Sequence, residues 1–150
     1  MKLAEALLER KALKQKIATL VERLMEDARV AEGDRPAEEP MEILAQVEEL
    51  IGLHGVLIER INLTNQAASL AGGKTIMRAI AERDMLNHRL LVLNKLMAAA
   101  VTRDRYGRNE IKYVPAVDVA EVRKMADRVS KELRELDAAI QAANWEAELA

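Results

Sequence analysis

Asp84 and His88 stand four residues apart in the run ERDMLNHR, with Arg83 beside them. On a helix that spacing puts both on one face, where a carboxylate can orient an imidazole for general acid–base work. The same spacing also describes an ordinary contact on a solvated helical surface. A second polar group, Asn62, Thr64 and Asn65, falls near the end of a strongly apolar stretch. Buried amides there must find hydrogen-bond partners, either as a polar plug at the end of the fold or as contacts to a ligand. If their helices are neighbours, Asn62 and Asn65 converge with Arg83, Asp84 and His88 on a small molecule or nucleotide. His54 sits in an apolar seam, where it is either a ligand or general base, or a polar residue that fixes helix register.

Other chemistries find less support. A di-iron bundle needs Glu-x-x-His on inward faces, but Ile51 stands three residues before His54 and Met85 three before His88. The pairs Glu38-Glu39 and Glu48-Glu49 lack a matching carboxylate pair at the spacing that would converge on a cation. Gly72-Gly73-Lys74-Thr75 looks like the end of a phosphate loop, yet the position of that motif's first glycine, residue 68, is alanine and no strand precedes it. There is no cysteine, hence no thiolate nucleophile, disulfide or zinc knuckle. Ser69 and Ser130 lack a pattern of base and orienter. The expectation is a non-enzymatic protein without metal or cofactor.

The elements that must position these residues read as long helices. The 150 residues are half apolar and about one-third charged, with no Phe and one Trp. Leu, Ala, Glu, Lys and Arg dominate, a composition of helical bundles and coiled coils. Leu3, Ala6, Leu13, Ile17, Leu20 and Leu24 form a first stripe, interrupted by Arg10 and Asp27. Leu44, Val47, Ile51, His54, Ile58, Ile61, Asn65 and Ala68 form a second with heptad alternation. A third stripe, Ile76, Ile80, Leu86, Leu90, Leu93 and Met97, is broadened by Leu91 and Leu96, as for a helix with more than one packed neighbour. Thr75 is placed to cap it. Asp118 followed by Glu121 has the layout of a capping box for a fourth, amphipathic helix running from Val119 to Ala143.

The sequence therefore predicts one mainly all-α domain over 1–150, an elongated antiparallel bundle or coiled coil of four long helices. They cover about 3–31, 41–70, 76–102 and 119–143. Between the third and fourth lies RDRYGRNEIKYVPAVDV, which holds both tyrosines and alternates polar and apolar residues at EIKYV. This stretch, about 104–116, is expected to form a short β-hairpin. An isolated hairpin must lie on something. Tyr106, Ile111, Tyr113 and Val114, with Trp145 nearby, are the candidate anchors of an interface, since Tyr and Trp often carry interface energy. The expected partners are a second copy, making a homo-oligomer, or another protein docked on the hairpin.

Net charge is −2 with both signs interspersed, and stacking aromatics are nearly absent. Nucleic-acid binding is not expected. The first helix carries Lys2, Arg10, Lys11, Lys14 and Lys16, but Glu5, Glu9 and Glu22 are mixed among them, so membrane binding is not expected either. Without a signal-like N-terminus or a long apolar run, the expected location is cytoplasmic.

The phrases INLTN (61–65), AERDML (81–86), RYGRNEIKYVPAVDV (105–119) and KELRELDAAIQAANWEAEL (131–149) resemble a family of small bacterial proteins of unknown function, some labelled septicolysin. The resemblance spans essentially the whole chain and implies no established activity, cofactor or catalytic residue. The label itself implies a thiol-activated pore-forming lysin. A chain with no cysteine, one Trp and no transmembrane hairpin of alternating residues argues against that activity.

Overall fold

The computed structural model describes residues 1–101 and 111–150. The described residues contain four helices: α1 (Leu3–Glu26), α2 (Pro40–Ala67), α3 (Ile76–Val101) and α4 (Val119–Glu146). Among the described residues there is no strand; an isolated antiparallel bridge joins Lys2 and Glu148, and Ser69 and Thr75 also stand in bridge positions. The expected hairpin is thus corrected for its second half. Residues 111–115 are irregular chain, and residues 104–110 of the expected hairpin lie outside the described residues. Alternation in EIKYV is not enough to make a strand, because a strand is stabilised by cross-strand partners.

The helix starts follow local chemistry. The Glu5 carboxylate accepts the Lys2 backbone N–H at 2.7 Å. Pro40 opens α2, where its missing N–H costs nothing. The Thr75 hydroxyl accepts the Arg78 N–H at 3.2 Å and caps α3. The Asp118 carboxylate accepts N–H bonds from Ala120 (3.0 Å) and Glu121 (3.2 Å) at the start of α4. Glu121 turns outward to Lys124 at 3.1 Å, so the cap is one-sided.

The ends fall differently from the periodicity alone. α1 closes at Glu26; beyond it, the Asp27 carboxylate accepts the Ala37 N–H at 3.0 Å and Arg23 forks onto Glu38, fixing the loop. α2 closes at Ala67, with Ala68 extended. Gly73, with φ +79°, belongs to the turn before α3, where its N–H bonds Leu70 O at 2.8 Å. No ordinary side chain takes that backbone conformation without strain. Lys74 leaves this turn to pair with Glu82, so the phosphate-loop lookalike is a helix–helix connection.

The chain forms two compact units. The first comprises Met1–Ser69 with Ala143–Ala150, and the second Leu70–Ala142. In the first, Leu20 near the end of α1 packs with Ile43 and Val47 near the start of α2, so the two helices run antiparallel. The buried residues of α2 are Ile43, Val47, Leu57, Ile61 and Thr64. Ile51 is exposed, and alternate positions of the seam move by one residue, a turn of about 50° from the expected stripe. The real seam runs 43, 47, 50, 54, 57, 61, 64, sharing only Val47, His54 and Ile61 with the expected one.

A terminal strap closes the first unit. Leu3 N–H bonds Ala147 O and Leu149 N–H bonds Met1 O, each at 2.9 Å. Thr64 is 3% exposed; its hydroxyl donates to Arg60 O and accepts the Ala150 N–H, each at 2.9 Å. Arg60 Nε returns to Ala150 O at 2.6 Å.

In the second unit Leu86 and Leu93 of α3 bury against Val122, Ala126 and Val129 of α4, flanked by Leu90, Met97, Met125, Leu133 and Leu136. Among the described residues, no helix is long and apolar enough to cross a membrane.

Candidate functional site

The α3 helix presents two apolar stripes with different fates. Ile76, Ala79, Leu86 and Leu93 are buried, because they share one face at 3–4 spacing. Ala81, Met85, His88, Val92, Leu96 and Ala99 share another face at similar spacing. None of that second stripe is buried: Met85 is 59% and Val92 54% exposed, with Met77 and Leu91 open beside them. The expected second neighbour of α3 is therefore not supplied by burial at Leu91 or Leu96. A shallow cleft of about 380 Å³ lies along this stripe, lined by Met85, His88, Arg89, Val92 and Leu93. A second cleft of about 370 Å³ is lined by Leu96, Ala99, Tyr113, Val114 and Pro115, among others.

The interface residues expected from sequence are placed on the surface. Ile111 is 75% exposed, and Tyr113 and Val114 are similarly open. Tyr113 and Val114 line the same cleft as Leu96. Trp145 is exposed on the last turn of α4, in the first unit. Tyr106 lies outside the described residues.

The ligand-site residues divide between the units. Asn62 is exposed and Asn65 half-buried on α2, in the first unit. Their neighbour Thr64 is the buried one, and it is spent on the terminal strap. Arg83, Asp84 and His88 lie on α3 in the second unit. Asp84 pairs with Arg83, its sequence neighbour, at 3.1 Å, and not with His88. Among the described residues no group of three or more His, Asp or Glu is placed to hold a metal ion.

Among the described residues two carboxylates are perturbed, both at ion pairs on the surface. Hydrogen bonding from Lys2 and the Met1 ammonium holds Glu148 below its ordinary range, and Arg23 does the same for Glu38. Both belong to structural clamps and neither lines a cleft described above. Sequence reasoning passed over the strap because its contacts join residues more than 80 positions apart, as Ala150 to Thr64, and no local pattern encodes that.

No curated protein matches the sequence. The chain is similar to a solved structure, the crystal structure of a functionally unknown conserved protein from Corynebacterium diphtheriae, with 42% identity, a TM-score of 0.93 and coverage of 100% of this chain and 99% of that one. Neither this neighbour nor the matching family carries the septicolysin label. The family model, described as a family of unknown function (DUF6847), matches residues 10–149, and the chain belongs to that family.

Proposed function

We propose that the protein is a non-enzymatic helical scaffold that self-associates through the open face of its second unit. The observation that carries this reading is the unburied α3 stripe, Ala81, Met85, His88, Val92, Leu96 and Ala99. Its 3–4 spacing is the spacing that a second helix fills. A second copy of α3 is the occupant that matches it. Antiparallel approach about the midpoint of His88 and Arg89 sets Met85 against Val92 and Ala81 against Leu96, a self-complementary contact that closes as a dimer. Ile111, Tyr113 and Val114 add aromatic and aliphatic surface beyond Leu96, where buried aromatic anchors contribute most. A cytoplasmic scaffold with no cofactor is the corresponding role.

Light scattering over a hundredfold dilution tests the proposal. A dimer that Val92→Glu converts to monomer, with helicity retained, is the expected result. A monomer at every concentration, or a dimer unaffected by both Val92→Glu and Tyr113→Asp, overturns it.

A further inference from the structure

We propose that the cleft between α1 and α2 binds an amphiphilic anion, a carboxylate or phosphate carrying a short alkyl chain. Arg10, Lys14 and His54 would take the head group, and Ile17, Ile51 and Ile58 the chain.

The site arises from two breaks in a heptad pattern. The α1 seam runs 3, 6, 10, 13, 17, 20, 24, which places Arg10 where an aliphatic side chain belongs. The α2 seam places His54 at the equivalent break. Between these two polar positions the core parts. Leu20, Ile43 and Val47 bury at one end, and Leu3, Ala6, Leu57 and Ile61 at the other. No residue of 7–19 or 48–56 is buried. The gap is a cleft of about 400 Å³ lined by Arg10, Lys14, Ile17, Ile51, His54 and Ile58. That volume suits a small molecule with a chain of modest length.

The lining is chemically lopsided. It contains three basic side chains and no carboxylate. Among the described residues, Arg10, Lys14 and His54 make no ion pair or side-chain hydrogen bond. Elsewhere, Lys2, Arg23, Lys74 and Arg83 each hold a carboxylate. A register-fixing polar residue needs a complementary partner across the seam, and Arg10 shares its cleft with another base instead. An anion accepts hydrogen bonds from all three, with a guanidinium suited to bidentate contact. A bare anion would leave the exposed Ile51 and the half-buried Ile17 and Ile58 uncovered, and a bare alkane would leave the bases unpaired. An ion with an apolar tail satisfies both. The proposal is independent of self-association, which concerns the other unit.

The test is titration of the full-length protein with decanoate below its micelle concentration, followed by backbone amide shifts. Decanol, inorganic phosphate and phosphatidylglycerol vesicles serve as parallel probes. The expected result is saturable decanoate binding with shifts around residues 10–17 and 51–58. Phosphate and decanol should each bind at least tenfold more weakly, and Arg10→Glu with Lys14→Glu should weaken decanoate at least tenfold. If that double reversal loses helicity, Arg10→Gln with Lys14→Gln gives the same reading on a neutralised cleft. Equal binding of decanol and decanoate, unchanged affinity in the charge variants, or binding to vesicles without binding to monomeric decanoate overturns the proposal.

Discussion

The α3–α4 seam and the α1–α2 seam obey the same heptad spacing and differ in what occupies it. On α3 the seam positions from 86 to 97 are Leu, Leu, Leu and Met, and on α4 those from 122 to 136 are Val, Ala, Val, Leu and Leu. Their buried members form one continuous cluster. On α1 and α2 the same spacing meets Arg10 and His54, and the buried residues separate into two groups with a cleft between them. Periodicity decides which side chains face a neighbour, and residue type decides whether the facing positions close. A helix pair can thus keep its alignment from both ends while its middle stays open to solutes.

The largest test of this contrast lies in the continuous seam. Leu86→Ala removes a buried side chain whose neighbours are already close-packed, and the cost should be about 2–5 kcal/mol, read as a lower urea midpoint. A loss below about 1 kcal/mol would mean that the α3–α4 cluster is not tightly packed, and the contrast would collapse. Next in size, Arg10→Leu with His54→Leu should repair the broken seam and raise stability by about 1–2 kcal/mol, less than full burial of two leucines because the site is partly open. No gain would show that the gap is set by backbone geometry and not by these two side chains.

The smallest effect sharpens the comparison at the strapped end of the open seam. Glu148 is held below the usual carboxylate range by Lys2 and the Met1 ammonium. A carboxyl depressed on folding stabilises fully above its unfolded value of about 4.3 and loses that contribution as pH falls through the lower folded value. Glu148→Gln should therefore lower Tm slightly at neutral pH, by an amount that salt reduces, and the gap from wild type should vanish as pH falls through the depressed carboxyl value. A gap that persists in acid would assign the effect to packing.

Much of the helical layout was legible in the sequence because caps and periodicity are local. Thr75 and Asp118 stand where their helices start, and the α1 stripe of Leu3, Ala6 and Leu20 is buried as its spacing implies. The α2 seam misleads for a specific reason. Ile43-Leu44, Leu50-Ile51 and Leu57-Ile58 are adjacent aliphatic pairs, so two heptad readings one residue apart share Val47, His54 and Ile61 and score alike. Burial chooses the reading with Thr64 inside, where its hydroxyl is satisfied by Arg60 O and by the distant Ala150 N–H. The hairpin expectation failed at residues 111–115 because alternation specifies a face and not a partner strand. For the cleft, Arg10 and His54 were visible as exceptions and Lys14 as part of a basic run, but their meeting depends on the antiparallel register of α1 and α2.

The strap also bears on how the chain is made. The second unit is one uninterrupted segment, Leu70–Ala142, whereas the first needs Ala143–Ala150 to meet Met1–Ser69. Domains fold as units while synthesis proceeds, and the bonds of Met1 and Leu3 to Leu149 and Ala147 must wait for a loop of more than 140 residues to close. The segment translated second is then the first that can finish, and the α1–α2 pair emerges early yet stays unsealed until Ala143–Ala150 follows it. During that interval its open seam is exposed to the cell, with Arg10 and His54 already in place.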